Sequence, residues 1–546
     1  MRYIKSYSNT TDLRTDLDAG ELGHPYVAKV NNTIDFNSIT TNWENEYFTI
    51  IALTDGTISY SHKEGSNPMF YSINEGEWIE TTVSVDIPVS KNNMIRFKSN
   101  RGNQAYNQET FTSGGTAQFA VAGNLMSLVA GDNFATYIPN TSATGTDGEL
   151  YRSFKNFFKD CTGLASAKNL IIKYCDNESF INFFNGCTSL FMPPKLPATT
   201  LASACYQFMF QGCTSLTKAP ELPATTLADY CYSNMFRECT SLTTAPALPA
   251  TTLATCCYAS MFNGCTSLTA APELPSTTLA ESCYSGMFSN TNVLPDCSNI
   301  DFASSTVVAS GGLQGLFSGT KVTDNDLERL LPKNDNGRYY LPVTTLANYC
   351  YQEMFQGCTS LTTAPALPAT TLADSCYSVM FQGCTSLTQA PALPATTLKT
   401  YCYYFMFGNC TSLTSAPALP ATTLADSCYR YMFYGCTSLT TAPALPATTL
   451  ADWCYDFMFC NCTKLTQAPE LPASALSKSC YQHMFMSCSS LNYIKCLATD
   501  ISATFCTDYW VLGVASTGTF VKAASMNDWT EGNSGIPTGW TVIDNS

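Results

Sequence analysis

At 546 residues the chain is too long for one conventional core, so several domains or a stacked array is the expectation. Charged residues make up 13%, about half the usual share, and the formal net charge of −15 excludes a nucleic-acid binder, which needs clustered Lys and Arg. The three histidines, His24, His62 and His483, are far apart, and no Gly-x-Ser-x-Gly, His-Glu-x-x-His or P-loop motif occurs, so neither an enzyme nor a cofactor is expected.

In chain order, residues 1–34 are polar and self-support poorly, which predicts an extended arm that orders on a partner. They contain no apolar run typical of a cleavable signal peptide. Residues 35–148 predict a small β-sandwich-like domain. Within it, residues 46–60 predict two strands around the Asp55-Gly56 turn, a hairpin signal. Further strands are expected over Met69–Ile73, Trp78–Val89 and Met94–Lys98. The least polar stretch, Ala117–Gly131, is too short and too polar to span a bilayer, and no membrane insertion is expected.

From residue 149 a single period takes over. Cysteines at 161, 187, 213, 239 and 265, then at 358, 384, 410, 436, 462 and 488, recur every 26 residues. Two disguised copies lie between these runs: Met287-Phe288 with Thr291 in the cysteine's place, and Leu316-Phe317 with Thr320. They make an irregular zone over 289–341 and bring the total to thirteen copies within 149–495. A second cysteine phase, Cys205 to Cys283 and Cys350 to Cys480, precedes tyrosine. A fixed period of this length predicts a solenoid whose turns bury apolar faces only against their neighbours. Each turn reads as an extended Thr-Ser-Leu-Thr-x-Ala-Pro segment, a short Ala-Thr-Thr-Leu run, and a helical or 3₁₀ turn over Ala228–Phe236 and its copies. Cysteines placed at two fixed phases are expected to be small buried residues stacked on their own copies, in preference to a disulfide framework or a metal site. Asp324, Asp326 and Asp335 with Gly337 lack the ligand order of a calcium loop and read as a solvated insertion. The tail, 496–546, is the expected C-terminal cap.

Comparing copies within the chain separates constant positions from variable ones. Cys, Leu, Met-Phe and Pro hardly change, whereas the two residues after Cys-Tyr, and the one after Met-Phe, vary freely. Exposed variable positions carry specificity on a repeat scaffold. In the copies near 404–457 they turn aromatic, giving the candidate binding residues Tyr404, Phe405, Tyr431, Tyr434 and Phe457, with Trp453 close by. Packing against a neighbouring subunit, or extra core burial, is the weightier reading of the same residues, ahead of a sugar or receptor contact.

The motif Met261-Phe262-Asn-Gly-Cys265-Thr-Ser-Leu268 and its copies resemble the BspA-like leucine-rich repeat of bacterial and phage proteins, over about residues 150–510. The 26-residue period is longer than that family's usual turn. The stretch from Gly518-Thr-Phe520 to Gly539-Trp540 looks like the closing module of such arrays in gut Bacteroides and their phages. Leu22-Gly-His24-Pro25-Tyr26 resembles the opening of tail- and head-fibre proteins of those phages. The resemblance implies a leucine-rich repeat solenoid on an N-terminal all-β domain, in a virion fibre or appendage assembled in the host cytoplasm. Its implied partners are other virion proteins through the arm, a host-surface glycan or protein, and further copies of itself, trimers included. A bacterial cell-surface adhesin with the same repeats is the alternative.

Overall fold

The computed structural model describes residues 43–545 apart from 63–65, 100–109, 112–114, 142–148, 277, 293–309, 328–330 and 342. It also gives the backbone of three short strands, β1 (Ser6–Tyr7), β2 (Lys29–Val30) and β3 (Thr33–Ile34), with β2 paired to both others. The arm expected over 1–34 otherwise lies outside the described residues. The chain divides into two compact units, Met1–Pro249 and Ala250–Ser546.

In the first unit, β4 (Phe48–Ala52) is buried at every residue because both of its edges and both of its faces are covered. It is central to a six-stranded sheet ordered β12-β11-β4-β9-β6-β7. The partners are β6 (Met69–Ile73), β7 (Ile79–Thr81), β9 (Met94–Lys98), β11 (Phe119–Asn124) and β12 (Leu164–Ile171). A second sheet, ordered β10-β5-β8, combines β5 (Gly56–Ser61), β8 (Val85–Val89) and β10 (Thr110–Phe111). Phe111 meets Phe48 and Phe97 of the first sheet at 5.9 and 5.2 Å between ring centroids.

Two expectations are corrected here. The Asp55-Gly56 turn does not close a hairpin: β4 and β5 belong to different sheets, since both edges of β4 are already taken by β9 and β11. Gly56, at φ 149°, lets the chain cross; a Cβ there would lie 2.6 Å from Thr116 Oγ1. Trp78–Val89 is likewise two strands, β7 and β8, divided between the sheets. The apolar stretch from Ala117 becomes the buried strand β11 and a helical turn, Ser127–Ala130. Among the described residues no helix is long and apolar enough to cross a membrane.

Strand β11 pairs in parallel with β12, which is the first strand of the repeats. Phe111 N–H also donates to the Phe157 carbonyl at 2.9 Å in the first repeat turn. The β-domain therefore caps the near end of the array with both backbone bonds and aromatic packing.

Within the repeats, the expected 3₁₀ segment is a ribbon of consecutive tight turns. In Ala202–Cys213 alternate N–H groups bond to the carbonyl three residues back, as Met209 does to Tyr206 at 3.2 Å. The intervening ones reach the next copy, as Phe208 does to Ser233 at 3.0 Å and Phe210 to Met235 at 2.9 Å. A helix would keep all of these bonds inside one segment, so the ladder between copies displaces it. The alternation requires a left-handed residue every fourth position: Ala204, Phe208 and Gly212 have φ of 51°, 58° and 71°. The third of these is mostly Gly or Asn, the residues that tolerate such φ best. Elsewhere the copies meet at parallel bridges such as Thr200↔Thr226 and Lys218↔Thr244.

The second unit repeats this ribbon. It includes the two disguised copies: Phe288 N–H bonds Leu316, and Phe317 N–H bonds Met354. Behind the ribbon run ladders of identical side chains. Phe355, Phe381, Phe407, Phe433 and Phe459 stack at 5.6–5.8 Å, and Tyr351 through Tyr481 at 5.8–6.0 Å.

The cysteines line the same core. Every described cysteine is a free thiol. Those of the Cys-Thr-Ser-Leu phase donate to the phenylalanine carbonyl of the preceding copy: Cys384 to Phe355 at 3.0 Å, Cys410 to Phe381 at 3.1 Å, Cys436 to Phe407 at 3.1 Å. Burial pushes the Cys436 thiol up to about 12, far from the reactive thiolate range. Thr291 and Thr320 are donors too, but within their own copy, to the Phe288 and Phe317 carbonyls three residues back at 2.8 and 2.7 Å. A small buried donor is thus what the position selects. Cys410→Thr is accordingly expected to stay within about 1 kcal/mol of wild type in urea denaturation, while Cys410→Ala loses roughly 1–2 kcal/mol through the lost bond and the void.

The tail begins as one more copy. Ala503–Gly513 continues the ribbon, with Tyr481, His483 and Phe485 N–H bonded to Cys506, Asp508 and Trp510. The expected cap boundary at 496 therefore falls inside the array, and Cys506, 26 residues after Cys480, was the available signal. Closure follows from residues 533–535. Val511 N–H bonds the Asn533 carbonyl, Tyr509 N–H bonds Ser534 Oγ, and Trp510 Nε1 bonds the Gly535 carbonyl at 2.8 Å. Trp529 stacks on Trp510 at 5.6 Å. Beside them β13 (Tyr493–Cys496), β14 (Thr519–Ala523) and β15 (Thr541–Asn545) form a parallel sheet.

Candidate functional site

Because the ribbon repeats in register, each variable position becomes a column of side chains. The expected exposure is only partly found: most of these residues are half-buried, and Ser233, Ser378 and Asp456 are fully buried. The second residue after Cys-Tyr is left-handed in every copy described, from Phe208 at φ 58° to Tyr509 at φ 50°. Sequence reading sees the variability and misses the backbone constraint, since aromatic residues rarely adopt that conformation.

Along one face the columns change character. Just before residue 400 the flanking columns hold two amide pairs, Gln314 to Gln352 at 3.2 Å and Gln356 to Gln382 at 2.9 Å, while the second-residue column itself reads Gly315, Glu353 and Val379. Beyond it, the second-residue column reads Phe405, Tyr431, Phe457, His483, Tyr509. Tyr431 and Phe457 stack at 4.6 Å and 8°, Phe457 and His483 at 4.1 Å and 16°, and His483 and Tyr509 at 5.9 Å and 7°. Phe405 and Tyr404 meet Tyr431 edge-on at 5.6 and 5.8 Å, and Tyr434 meets both Phe405 and Tyr431 at 5.8 Å. Gly408 leaves room for Phe405, whose ring would lie 2.1 Å from a Cβ placed there.

Five of the six candidate residues, Tyr404, Phe405, Tyr431, Tyr434 and Phe457, thus come together in one ridge. Trp453 does not join it. It stands at the first left-handed position of its copy, φ 53°, with Lys478 Nζ 4.5 Å over its ring. The structure adds residues that a search for aromatics near 404–457 passed over: His483, Tyr509, Arg430 and Asp456. Counting 26 residues onward from Phe457 finds the first two.

Arg430 and Asp456 occupy the neighbouring column, with the Arg430 guanidinium 5.3 Å from the centre of the Tyr431 ring. The Asp456 side chain is 1% exposed, and its Oδ2 accepts from Arg430 Nε at 2.8 Å. Its Oδ1 is buried without a hydrogen-bond partner among the described residues and sits 3.7 Å from His483 Nδ1, which is also unpartnered. Burial raises the Asp456 carboxyl to about 7 in spite of Arg430. Burial lowers the His483 imidazole; the Asp508 carboxylate opposes that shift and Arg430 adds to it.

The other polar groups noted in the sequence are structural. Asp324 accepts from Thr362 and Thr363, and Asp326 from Thr323. Among the described residues no group of three His, Cys, Asp or Glu is placed to hold a metal ion. His62 contacts the Tyr60 hydroxyl at 3.3 Å, and His24 lies outside the described residues.

A family description, the BspA type leucine-rich repeat region, matches six copies in this chain, over residues 182–307, 342–454 and 400–505. Together these spans exceed half of the 546 residues. The chain belongs to the BspA-type leucine-rich repeat family. No curated protein matches it. The aromatic ridge falls mostly inside the BspA-type repeats; only Tyr509 lies past residue 505.

Proposed function

We propose that this BspA-type solenoid is a non-catalytic recognition scaffold whose aromatic ridge meets a host surface. The observation that carries the reading is the second-residue column, which passes over successive copies from Gly315, Glu353 and Val379 to stacked rings. The half-buried rings, with Met486 and Leu512 in the adjacent column, form an apolar strip of the kind that marks an interaction site. Within that reading the protein is a phage tail- or head-fibre component. Its N-terminal arm joins other virion proteins, copies of the chain associate as a homo-oligomer such as a trimer, and the repeats face outward. No cofactor takes part. Family membership supports the recognition role and fits a bacterial cell-surface adhesin as well.

Two measurements test this. Mass spectrometry of purified phage particles is expected to find the chain; export to a bacterial surface in the absence of phage replaces the virion reading with the adhesin. Labelled full-length protein is expected to bind host cells, with Phe457→Ser reducing binding at least tenfold. Wild-type protein that binds no cell of any candidate host refutes recognition.

A further inference from the structure

We propose that Cys175 and Cys205 form an oxidation-sensitive pair, which a small disulfide such as oxidised glutathione converts into a cross-link fastening the first two turns of the array. The pair lies far from the ridge in sequence, and the proposal does not depend on the recognition reading.

The first copy breaks the repeat pattern at this point. Its place in the second cysteine phase is taken by Ser179, whose Oγ donates to the Asp176 carbonyl at 2.9 Å. A cysteine stands instead four residues earlier, where later copies have a buried leucine such as Leu201, Leu372 or Leu398. Cys175 is only partly buried, and its thiol is hydrogen-bonded to the Cys205 thiol and the Tyr206 hydroxyl of the next copy. Leu346 and Leu372 hold the same place ahead of Tyr377 and Tyr403, whose hydroxyls have no hydrogen-bond partner among the described residues. The backbone on either side is fixed: Glu178 N–H bonds the Ser203 carbonyl at 2.9 Å, and Phe180 N–H bonds the Cys205 carbonyl at 3.0 Å.

The ladder cysteines are placed differently. Equivalent positions in successive copies lie as far apart as the copies themselves, about 4.8 Å between strands and 5.6–6.0 Å along the ring ladders. A disulfide holds its Cβ atoms about 3.5–4.5 Å apart, so stacked copies of one cysteine do not close without backbone movement. Cys175 and Cys205 are 30 residues apart, off the 26-residue period, and escape that constraint. The chemistry balances in two exchanges. The Cys175 thiolate attacks one sulfur of oxidised glutathione and releases one glutathione thiolate; Cys205 then loses its proton, attacks the Cys175 sulfur and releases the second. Burial holds the Cys205 thiol well above its ordinary value, so closure is expected to quicken as pH rises.

The experiment treats the reduced full chain with oxidised glutathione, alkylates it after denaturation, and maps the digest by mass spectrometry. Peptides holding Cys175 and Cys205 are expected to appear linked, with the ladder cysteines alkylated, and hydrogen exchange over residues 176–204 to slow by about threefold or more. Cys175→Leu restores the residue of the later copies; it is expected to keep the thermal unfolding midpoint, form no cross-link and exchange alike before and after oxidation. Glutathione that stays on Cys175 overturns the proposal by showing that Cys205 does not reach it. An untouched Cys175, or cross-links that fall within the ladders, overturns it as well. A Cys175–Cys205 bond without slower exchange overturns the fastening.

Discussion

Trp510→Ala is expected to cost about 3–5 kcal/mol and to unravel the array from its C-terminal end. The indole is fully buried, stacks on Tyr481 at 6.2 Å and Trp529 at 5.6 Å, and bonds the Gly535 carbonyl through Nε1. It therefore joins the tyrosine ladder to the segment that closes it. In a solenoid each turn is held only by its neighbours, so losing the end plate exposes the next turn and the damage is local. Urea denaturation combined with hydrogen exchange by mass spectrometry checks this. Protection is expected to collapse over about residues 477–513 and to persist near Phe355. A loss below about 1 kcal/mol, or protection lost evenly through the second unit, would show that the closing segment holds without the indole.

The second large effect concerns pH. The folded state keeps the Asp456 proton up to about 7, against an ordinary 3.8. For a group whose folded value is raised, the stabilisation is complete below the unfolded value and is lost as pH climbs through the folded one. The chain is thus expected to lose about 4 kcal/mol between about pH 4 and pH 7 from this residue, since one unit corresponds to about 1.4 kcal/mol. His483 runs the other way: its lowered value gives stability that is present above the ordinary histidine range and lost as pH falls. Asp456→Asn keeps an acceptor for Arg430 and removes the first slope only. Stability measured by urea denaturation across this window should decline in wild type and rise with pH in the variant. Parallel curves would mean that Asp456 is ionised throughout, with Arg430 outweighing burial.

The period and its two disguised copies were legible in the sequence, because Thr291 and Thr320 preserve both the phase and the donor chemistry of cysteine. The ribbon was not. Spacing of apolar residues at Cys231, Met235 and Phe236 fits a helical turn, and only the bonds between copies reveal that half the N–H groups leave the segment. The hairpin at Asp55-Gly56 failed for a similar reason, since local turn chemistry does not reveal that β9 and β11 already occupy the edges of β4. Five of the ridge residues were found by their type. Arg430 and Asp456 stand among the variable positions after Cys-Tyr, but their pairing comes from the burial of Asp456, which residue type does not reveal; Trp453 joins the candidates by proximity along the chain although it faces Lys478.

The ribbon also decides where the chain can change its length. Steps of 26, 29 and 38 residues separate successive copies, yet the same alternate N–H groups find their partners across each of them. Register is set inside the short segment from the Cys-Tyr pair to the next cysteine, so added residues loop out between segments without shifting any rung. Insertions and deletions are therefore tolerated in the Pro-containing connections and forbidden within the ribbon. A lineage of such proteins can lengthen, shorten or decorate its connections while the columns of side chains along the face stay aligned.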